Sequence, residues 1–315
     1  LIVSGRTDPA SRDRLALAAR FGQGGAPSDA LEERHLRSSR KEGDTMSEGF
    51  VEVDGGRLFY EQAGSGQAVV FIHPGLWDRR TWDDQFPVFA EQFRAIRYDV
   101  RGYGKSSKPE REYSNVEDLR ALLEEVGVER AALIGCSMGG GIAIDFAVEH
   151  PERVWALVPV AAALSGVEET DEEREKWAPV VEGIMEAAGA GDIDRAVDLL
   201  MEIWAPLGTG DRSGQRIRQI TRENPWAITD EGELAREIDP PALPRLSTIR
   251  ASTLIVLGAQ DLQDINQMWS EYGPRFPVSR TVVLDGADHV VNMRQPEEFN
   301  RLVLEFLGRA HDRSQ

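Results

Sequence analysis

Cysteine is almost missing from this chain of 315 residues, where Cys136 stands alone. A single thiol excludes an intramolecular disulfide framework, and with five scattered histidines it leaves no Cys/His cluster at metal-ligand spacing. The chain is therefore expected to need no metal and no other cofactor. Long apolar runs are missing too: none approaches the roughly 20 residues that span a bilayer. The opening Leu1-Ile2-Val3 is too short for the apolar region of a secretory signal. No membrane association and a cytoplasmic location are expected. Positive charge is in deficit, with 36 Lys and Arg against 54 Asp and Glu and a formal net charge of −18. Binding to phosphate backbones draws on basic patches, so nucleic acid is excluded as an expected partner.

What is present is the balance of an ordinary globular protein, 41% apolar and 29% charged residues. The length suits one large domain, or one domain carrying an insertion. Residues 1–45 differ from the rest: they are rich in Arg, Ser, Gly and Asp and lack sustained apolar periodicity, which reads as a disordered leader. The composition shifts near Met46, and Lys41-Glu42-Gly43 can be encoded by a purine-rich stretch of ribosome-binding type. Met46 is therefore expected to be the natural start, and residues 1–45 an upstream extension of the reading frame.

From Met46 onward β-rich runs alternate with helical patterns, the mark of an α/β protein with a mostly parallel sheet covered by helices. Phe50 to Val53 and Arg57 to Gln62 flank Asp54-Gly55-Gly56 as a hairpin. The remaining predicted strands are Ala68 to Ile72, Arg94 to Val100, Ala131 to Gly135, Val154 to Ala161, Thr253 to Leu257 and Thr281 to Leu284. Apolar residues at helical spacing predict helices over Val116 to Glu125, Gly139 to Val148 and Pro296 to Leu307. The alternation stops between about Ser165 and Leu246. There Trp177, Val180, Val181, Ile184 and Met185 fall on one helical face, and Val197, Leu200, Met201 and Trp204 on another. The expected organisation is a core first part at 46–164, a helical cap at 165–246 and a core second part at 247–315. The acidic run Glu168 to Glu175 is expected to be a solvated helix face.

Gly135-Cys136-Ser137-Met138-Gly139 carries the chemistry. A G-x-S-x-G between a predicted strand and a predicted helix makes a sharp turn that exposes the serine hydroxyl, and the flanking glycines give the backbone room to fold back. The turn also sets Ser137 at a helix N-terminus, which favours developing negative charge. Cys136 is expected to fill the elbow as a small buried residue.

A serine hydroxyl needs a general base. Of the histidines, His35 lies in the leader, His311 in a polar tail, His150 at a helix end, and His73 in another motif. His289, after the last predicted strand and before the final helix, is the candidate base. A base of this kind needs a carboxylate to fix its tautomer. Asp261 follows the strand Thr253 to Leu257 and would reach the same sheet edge as Ser137. Asp264 and Asp288 compete for the role, with Asp288 expected at the surface. An oxyanion needs two backbone donors. The N–H of Met138, next after the serine, is one, and in His73-Pro74-Gly75 the nearest second is Gly75, because Pro74 has no N–H.

From Gly49 to about Leu307 these motifs together resemble the α/β-hydrolase superfamily, especially its small esterase, 3-oxoadipate enol-lactonase and cofactor-free haloperoxidase-like group. The matching residues are His73-Pro74-Gly75, Asp99-Val100-Arg101-Gly102-Tyr103-Gly104-Lys105-Ser106, Gly135 to Gly140, Gly258-Ala259-Gln260-Asp261 and Gly286-Ala287-Asp288-His289. The resemblance implies an α/β-hydrolase fold: an eight-stranded sheet with an antiparallel second strand, helices on both faces and a cap after the sixth strand. It also implies the chain order nucleophile, acid, base, and it makes Asp99 and Arg101 structural. Pro74 departs from the glycine usual at its position. The expected activity is hydrolysis of a small carboxylic ester or lactone through Ser137, His289 and Asp261 and an acyl-enzyme intermediate. A dicarboxylate-like enol-lactone would need basic groups, for which Arg79, Arg80 and the cap arginines are the obvious donors. Perhydrolysis would use the same triad, and a ligand-sensing receptor of this fold is the non-enzymatic alternative. Trp77, Trp82, Trp177, Trp204 and Trp226 are candidates to line an apolar acyl pocket or simply to fill the core.

Overall fold

The computed structural model describes residues 46–229 and 234–314. The expected leader, residues 1–45, lies outside the described residues. All eight predicted strands form, as β1 (Ser47–Val53), β2 (Gly56–Ala63), β3 (Ala68–Ile72), β4 (Arg94–Tyr98), β5 (Ala131–Cys136), β6 (Val154–Val160), β7 (Ser252–Gly258) and β8 (Ser279–Leu284). They make one sheet in the order β1-β2-β4-β3-β5-β6-β7-β8. Strand β2 is antiparallel to both its neighbours, whereas every pairing from β4 to β8 is parallel. Gly55, at φ 79° in the β1–β2 turn, takes the left-handed conformation that a tight hairpin requires.

The side-chain alternation of β3 shows why the sheet is covered on both faces. Val70 and Ile72 point to one apolar layer, shared with α2 (Asn115–Glu125) and α3 (Met138–Glu149). Val69 and Phe71 point to the other, shared with α1 (Phe86–Ala90). All five residues of β3 are buried, and a continuous apolar run is what a strand packed on both faces needs. Val69, Val70, Phe71 and Ile72 each contribute roughly 1.5–3 kcal/mol by leaving water.

Between β6 and β7 the described residues contain no strand. They form α4 (Asp171–Gly189), α5 (Ile193–Trp204), α6 (Arg212–Glu223) and the short α7 (Pro225–Thr229). Trp177, Ile184, Val197, Leu200 and Met201 meet Leu76, Trp77, Val290 and Met293 of the sheet-edge loops in a third apolar cluster, which seats these helices on the core. Helix α4 opens with a complete capping box between Thr170 and Glu173, and its acidic first turn complements the helix dipole. Most of the run Glu168 to Glu175 is exposed, the solvated face expected. After β7 come α8 (Gln263–Tyr272), α9 (Val291–Arg294) and α10 (Pro296–Ser314). Helix α10 continues beyond the predicted end at Leu307, and His311 lies on it with its ring against Trp155 rather than in a polar tail.

Strand order fixes where a site can form. Chain direction across the sheet reverses between β3 and β5, which lie side by side with parallel registers. The loops leaving their carboxyl ends are therefore neighbours, at the crevice where open α/β sheets bind ligands.

Candidate active site

Ser137 leaves the end of β5 with φ 50° and ψ −118°, a left-handed conformation for a residue with a Cβ. Such a conformation costs on the order of 1–3 kcal/mol and persists where the surroundings enforce it. Here the surroundings are backbone. The Ser137 N–H donates to Val160 O at 2.8 Å, and its carbonyl accepts from Gly141 and Ala163, each at 3.0 Å. A Cβ on Gly135 would overlap the carbonyl of Gly139, and one on Gly139 would overlap the carbonyls of Ile72 and His73. Both glycines are needed for the close approach of strand and helix. Ser137 occupies the N-cap of α3, yet its hydroxyl makes no capping bond, which leaves it available.

Beneath it, Cys136 is fully buried and its thiol contacts His289 O at 3.6 Å. Burial first, and then the nearby Asp261 and Asp288 carboxylates, push that thiol well above its ordinary range. Cys136 is thus the inert filler that the sequence led one to expect.

The carboxyl ends of β7 and β8 supply the next two residues. Asp261 and His289 face each other with Nδ1 of the imidazole 3.1 Å from each carboxylate oxygen. Both side chains are almost completely buried. Asp261 is aimed by its own loop, since Oδ1 also accepts from Leu262 N at 2.7 Å and Asn266 holds Gly258 O at 3.1 Å. A carboxylate on Nδ1 selects the tautomer with its proton there and leaves Nε2 as the acceptor. Nε2 is buried and has no hydrogen-bond partner.

The loop after β3 comes alongside. His73 is a structural pin: its Nδ1–H donates to Pro74 O at 2.7 Å and its Nε2 accepts from Val100 N at 2.9 Å. Burial lowers its pKa and keeps it neutral. Gly75 lies against Met138, since a Cβ on Gly75 would sit 3.9 Å from the Met138 Cβ. The two residues that carry the candidate oxyanion donors are therefore neighbours. Leu76 follows at φ 68°, a strained residue with its side chain in the cap cluster.

Other expectations divide. Asp99 and Arg101 are structural: Asp99 binds Arg79 and Lys105 N, and Arg101 is buried in a two-point contact with Asp118. Asp264 pairs with Lys176 at 3.0 Å, away from the imidazole. Asp288 corrects the expectation of a surface role. Its carboxylate is completely buried, pairs with Arg294 at 2.9 Å and accepts from Leu207 N at 3.3 Å. The reason is Arg294, which also reaches Gly208 O and Asp211 beyond α5, so the acid lies beneath the segment that joins α5 to α6.

Arg79 is locked between Glu61 and Asp99, and Arg80 between Asp78 and Glu223. Burial alone would raise the carboxyl of Asp78, but bonds from Arg80 and Asn224 outweigh it and hold it at about 2. Trp82 lies between Phe71 and Phe299 in the core below the sheet, and Trp226 stands under Lys108. Trp204 has its ring against the imidazole of His289, 4.5 Å between centroids. Among the described residues, no group of three or more His, Cys, Asp or Glu side chains is placed to hold a metal ion. No helix among them is long and apolar enough to cross a membrane.

Known proteins share this architecture. The pimeloyl-[acyl-carrier protein] methyl ester esterase of Aeromonas hydrophila is 29% identical over 269 residues, which cover 79% of this chain and 98% of that protein. A thermophilic esterase from Thermogutta terrifontis superposes with a TM-score of 0.69 at 23% identity, covering 84% of this chain and 99% of that one. The enol-lactonase from Burkholderia xenovorans gives 0.66 at 24% identity, covering 82% and 100%. Residues 67–296 match the family model described as alpha/beta hydrolase fold, and with the sheet order and strand-end loops above, the chain belongs to the α/β-hydrolase family.

Proposed function

We propose that the protein is a serine carboxylic-ester hydrolase acting on a small, uncharged ester or lactone through Ser137, His289 and Asp261. The observation that carries this reading is the buried Asp261–His289 pair, with both oxygens 3.1 Å from Nδ1 and an unengaged, buried Nε2. An imidazole oriented in this way is a general base awaiting a proton. Ser137, strained and uncapped at the start of α3, is the proton's source.

In this mechanism Nε2 of His289 takes the Ser137 proton as Oγ attacks the acyl carbon. Negative charge moves to the carbonyl oxygen, where the N–H groups of Gly75 and Met138 donate to it. The imidazolium, held by Asp261, returns the proton to the leaving alkoxide. Water then enters, gives its proton to His289 and attacks the acyl-enzyme. The acid leaves, and Ser137 recovers its proton.

An uncharged substrate is favoured because Arg79 and Arg80, two of the basic side chains expected to meet a dicarboxylate, are otherwise engaged. Arg79 and Arg80 are each held between two carboxylates. Leu76, which follows Gly75, and Val290, which follows His289, belong to an apolar cluster shared with the cap helices. A small, hydrophobic acyl group suits such neighbours. The methyl ester named for the Aeromonas relative supports ester chemistry over dicarboxylate lactone chemistry.

The test is turnover of an aryl ester series of increasing acyl length by the purified protein and by Ser137→Ala. Hydrolysis that falls to background in the folded variant is expected. Retained turnover would refute the assignment, and turnover near background in the unaltered protein would favour the ligand-sensing alternative.

A further inference from the structure

We infer that Trp204, delivered by cap helix α5, is a positioning residue for the imidazole of His289. The inference rests on the reading of His289 as the general base. Trp204 is the last residue of α5. Its ring lies 4.5 Å from the His289 ring between centroids, with the planes inclined at 45°. Its Nε1 is buried without a hydrogen-bond partner, so the indole is held by packing and not by a polar tether.

Asp261 grips the imidazole along one edge only. Two oxygens at equal distance from Nδ1 fix the tautomer but leave the ring free to tilt about that edge, and a tilt carries Nε2 away from its proton donor. An aromatic ring 4.5 Å away and inclined at 45° stands in the way of that motion. The same ring stands within the ~6 Å over which an aromatic π-system attracts a cation, here the imidazolium that forms when the serine proton is taken up. A placement error of about 1 Å in a catalytic group is enough to lower a rate a hundredfold.

Trp204 is not carried on a free flap. Just beyond it, Leu207 N donates to Asp288 Oδ2 at 3.3 Å, Gly208 O accepts from Arg294 Nη2 at 2.9 Å, and Asp211 pairs with Arg294 at 3.0 Å. Asp288 directly precedes His289, and Arg294 ends the short helix after it. The segment after α5 is thus pinned to the loop that carries the base, and Trp204 packs on the base itself. Seating the cap and aiming the imidazole are one event in this arrangement.

Two substitutions separate positioning from simple filling. Trp204→Leu keeps an apolar cover over His289 but removes the flat, electron-rich face; Trp204→Phe keeps a face. Steady-state kinetics on a short aryl ester, with melting temperature as a check on folding, read the difference. The expected result is a fall in kcat of about 3- to 30-fold for the leucine variant, with KM within about twofold. The phenylalanine variant should recover most of the loss. Equal loss in both variants, a loss confined to KM, or no loss would overturn the inference. If the leucine variant does not fold, Trp204→Met against Trp204→Tyr makes the same comparison. Ser137→Ala, assayed alongside, keeps the outcomes distinct: turnover surviving in that variant would refute the triad, whatever the tryptophan variants do.

Discussion

Replacing Arg294 by methionine removes a guanidinium that is almost fully buried and holds three partners at once: Asp288, Asp211 and Gly208 O. Asp211 is well exposed and can turn to water. Asp288 cannot, because its carboxylate is completely buried and would be left with one backbone N–H, that of Leu207 at 3.3 Å. Leaving a buried charge unpaired costs about 3–5 kcal/mol, whereas removing both charges of such a pair is often neutral. Arg294→Met should therefore lower stability by about 3–5 kcal/mol, or roughly 10 °C in melting temperature for a domain of this size. Asp288→Asn combined with Arg294→Met should recover most of that. Urea unfolding followed by fluorescence and circular dichroism measures both, with an unchanged slope as the sign that one transition is being compared. Because Asp288 precedes His289, kcat of the single variant should fall as well. A single variant within 1 kcal/mol of the parent, or a double variant no more stable than the single one, would refute the reasoning.

Asp261→Asn should lower kcat by about 10⁴ by disfavouring the required tautomer, while Asp264→Asn, which loses only an exposed pair with Lys176, should stay within about twofold; steady-state kinetics of the two decide which aspartate serves the base. Asp145 is raised to about 7, chiefly by burial, although its bond from Ser165 opposes this. A carboxyl near pKa 3.9 when unfolded and about 7 when folded keeps its proton in the folded state alone, so stability falls as pH rises through that window and levels off above it. Asp145→Asn should flatten the dependence of melting temperature on pH from 4 to 8 and gain up to about 4 kcal/mol at the upper end; an unchanged profile would contradict the burial argument. The Cys136 thiol, buried and pushed well above its ordinary range, should resist iodoacetamide in the native protein and react on unfolding, which mass spectrometry follows directly.

The parts of the site legible in the sequence are those fixed over short distances. The serine elbow was readable because Gly135 and Gly139 flank Ser137 for a steric reason that local spacing displays, and the overlaps a Cβ would create at both glycines bear this out. His73 was separable from His289 because each follows a different strand. The sheet was legible for the same reason, since a fully apolar run such as Ala68 to Ile72 has few other places to go. Nothing near Asp288 in sequence announces its burial: its partner Arg294 also needs Gly208 and Asp211, which only folding brings close. Trp204 was named among five tryptophans but not distinguished, because helical periodicity marks an apolar face without saying which ring meets the imidazole. Arg79 and Arg80 stand out in sequence as a basic pair, and three of the four carboxylates that engage them, Glu61, Asp99 and Glu223, come from other elements.

The central claim is that Ser137 is the nucleophile activated by His289. Its most direct test is covalent labelling of the purified protein with a fluorophosphonate, followed by intact mass measurement and peptide mapping. One adduct per chain is expected, on the peptide containing Ser137, formed slowly or not at all in His289→Ala and absent from folded Ser137→Ala. An adduct on another residue, or undiminished labelling of the Ser137→Ala protein, would contradict the account.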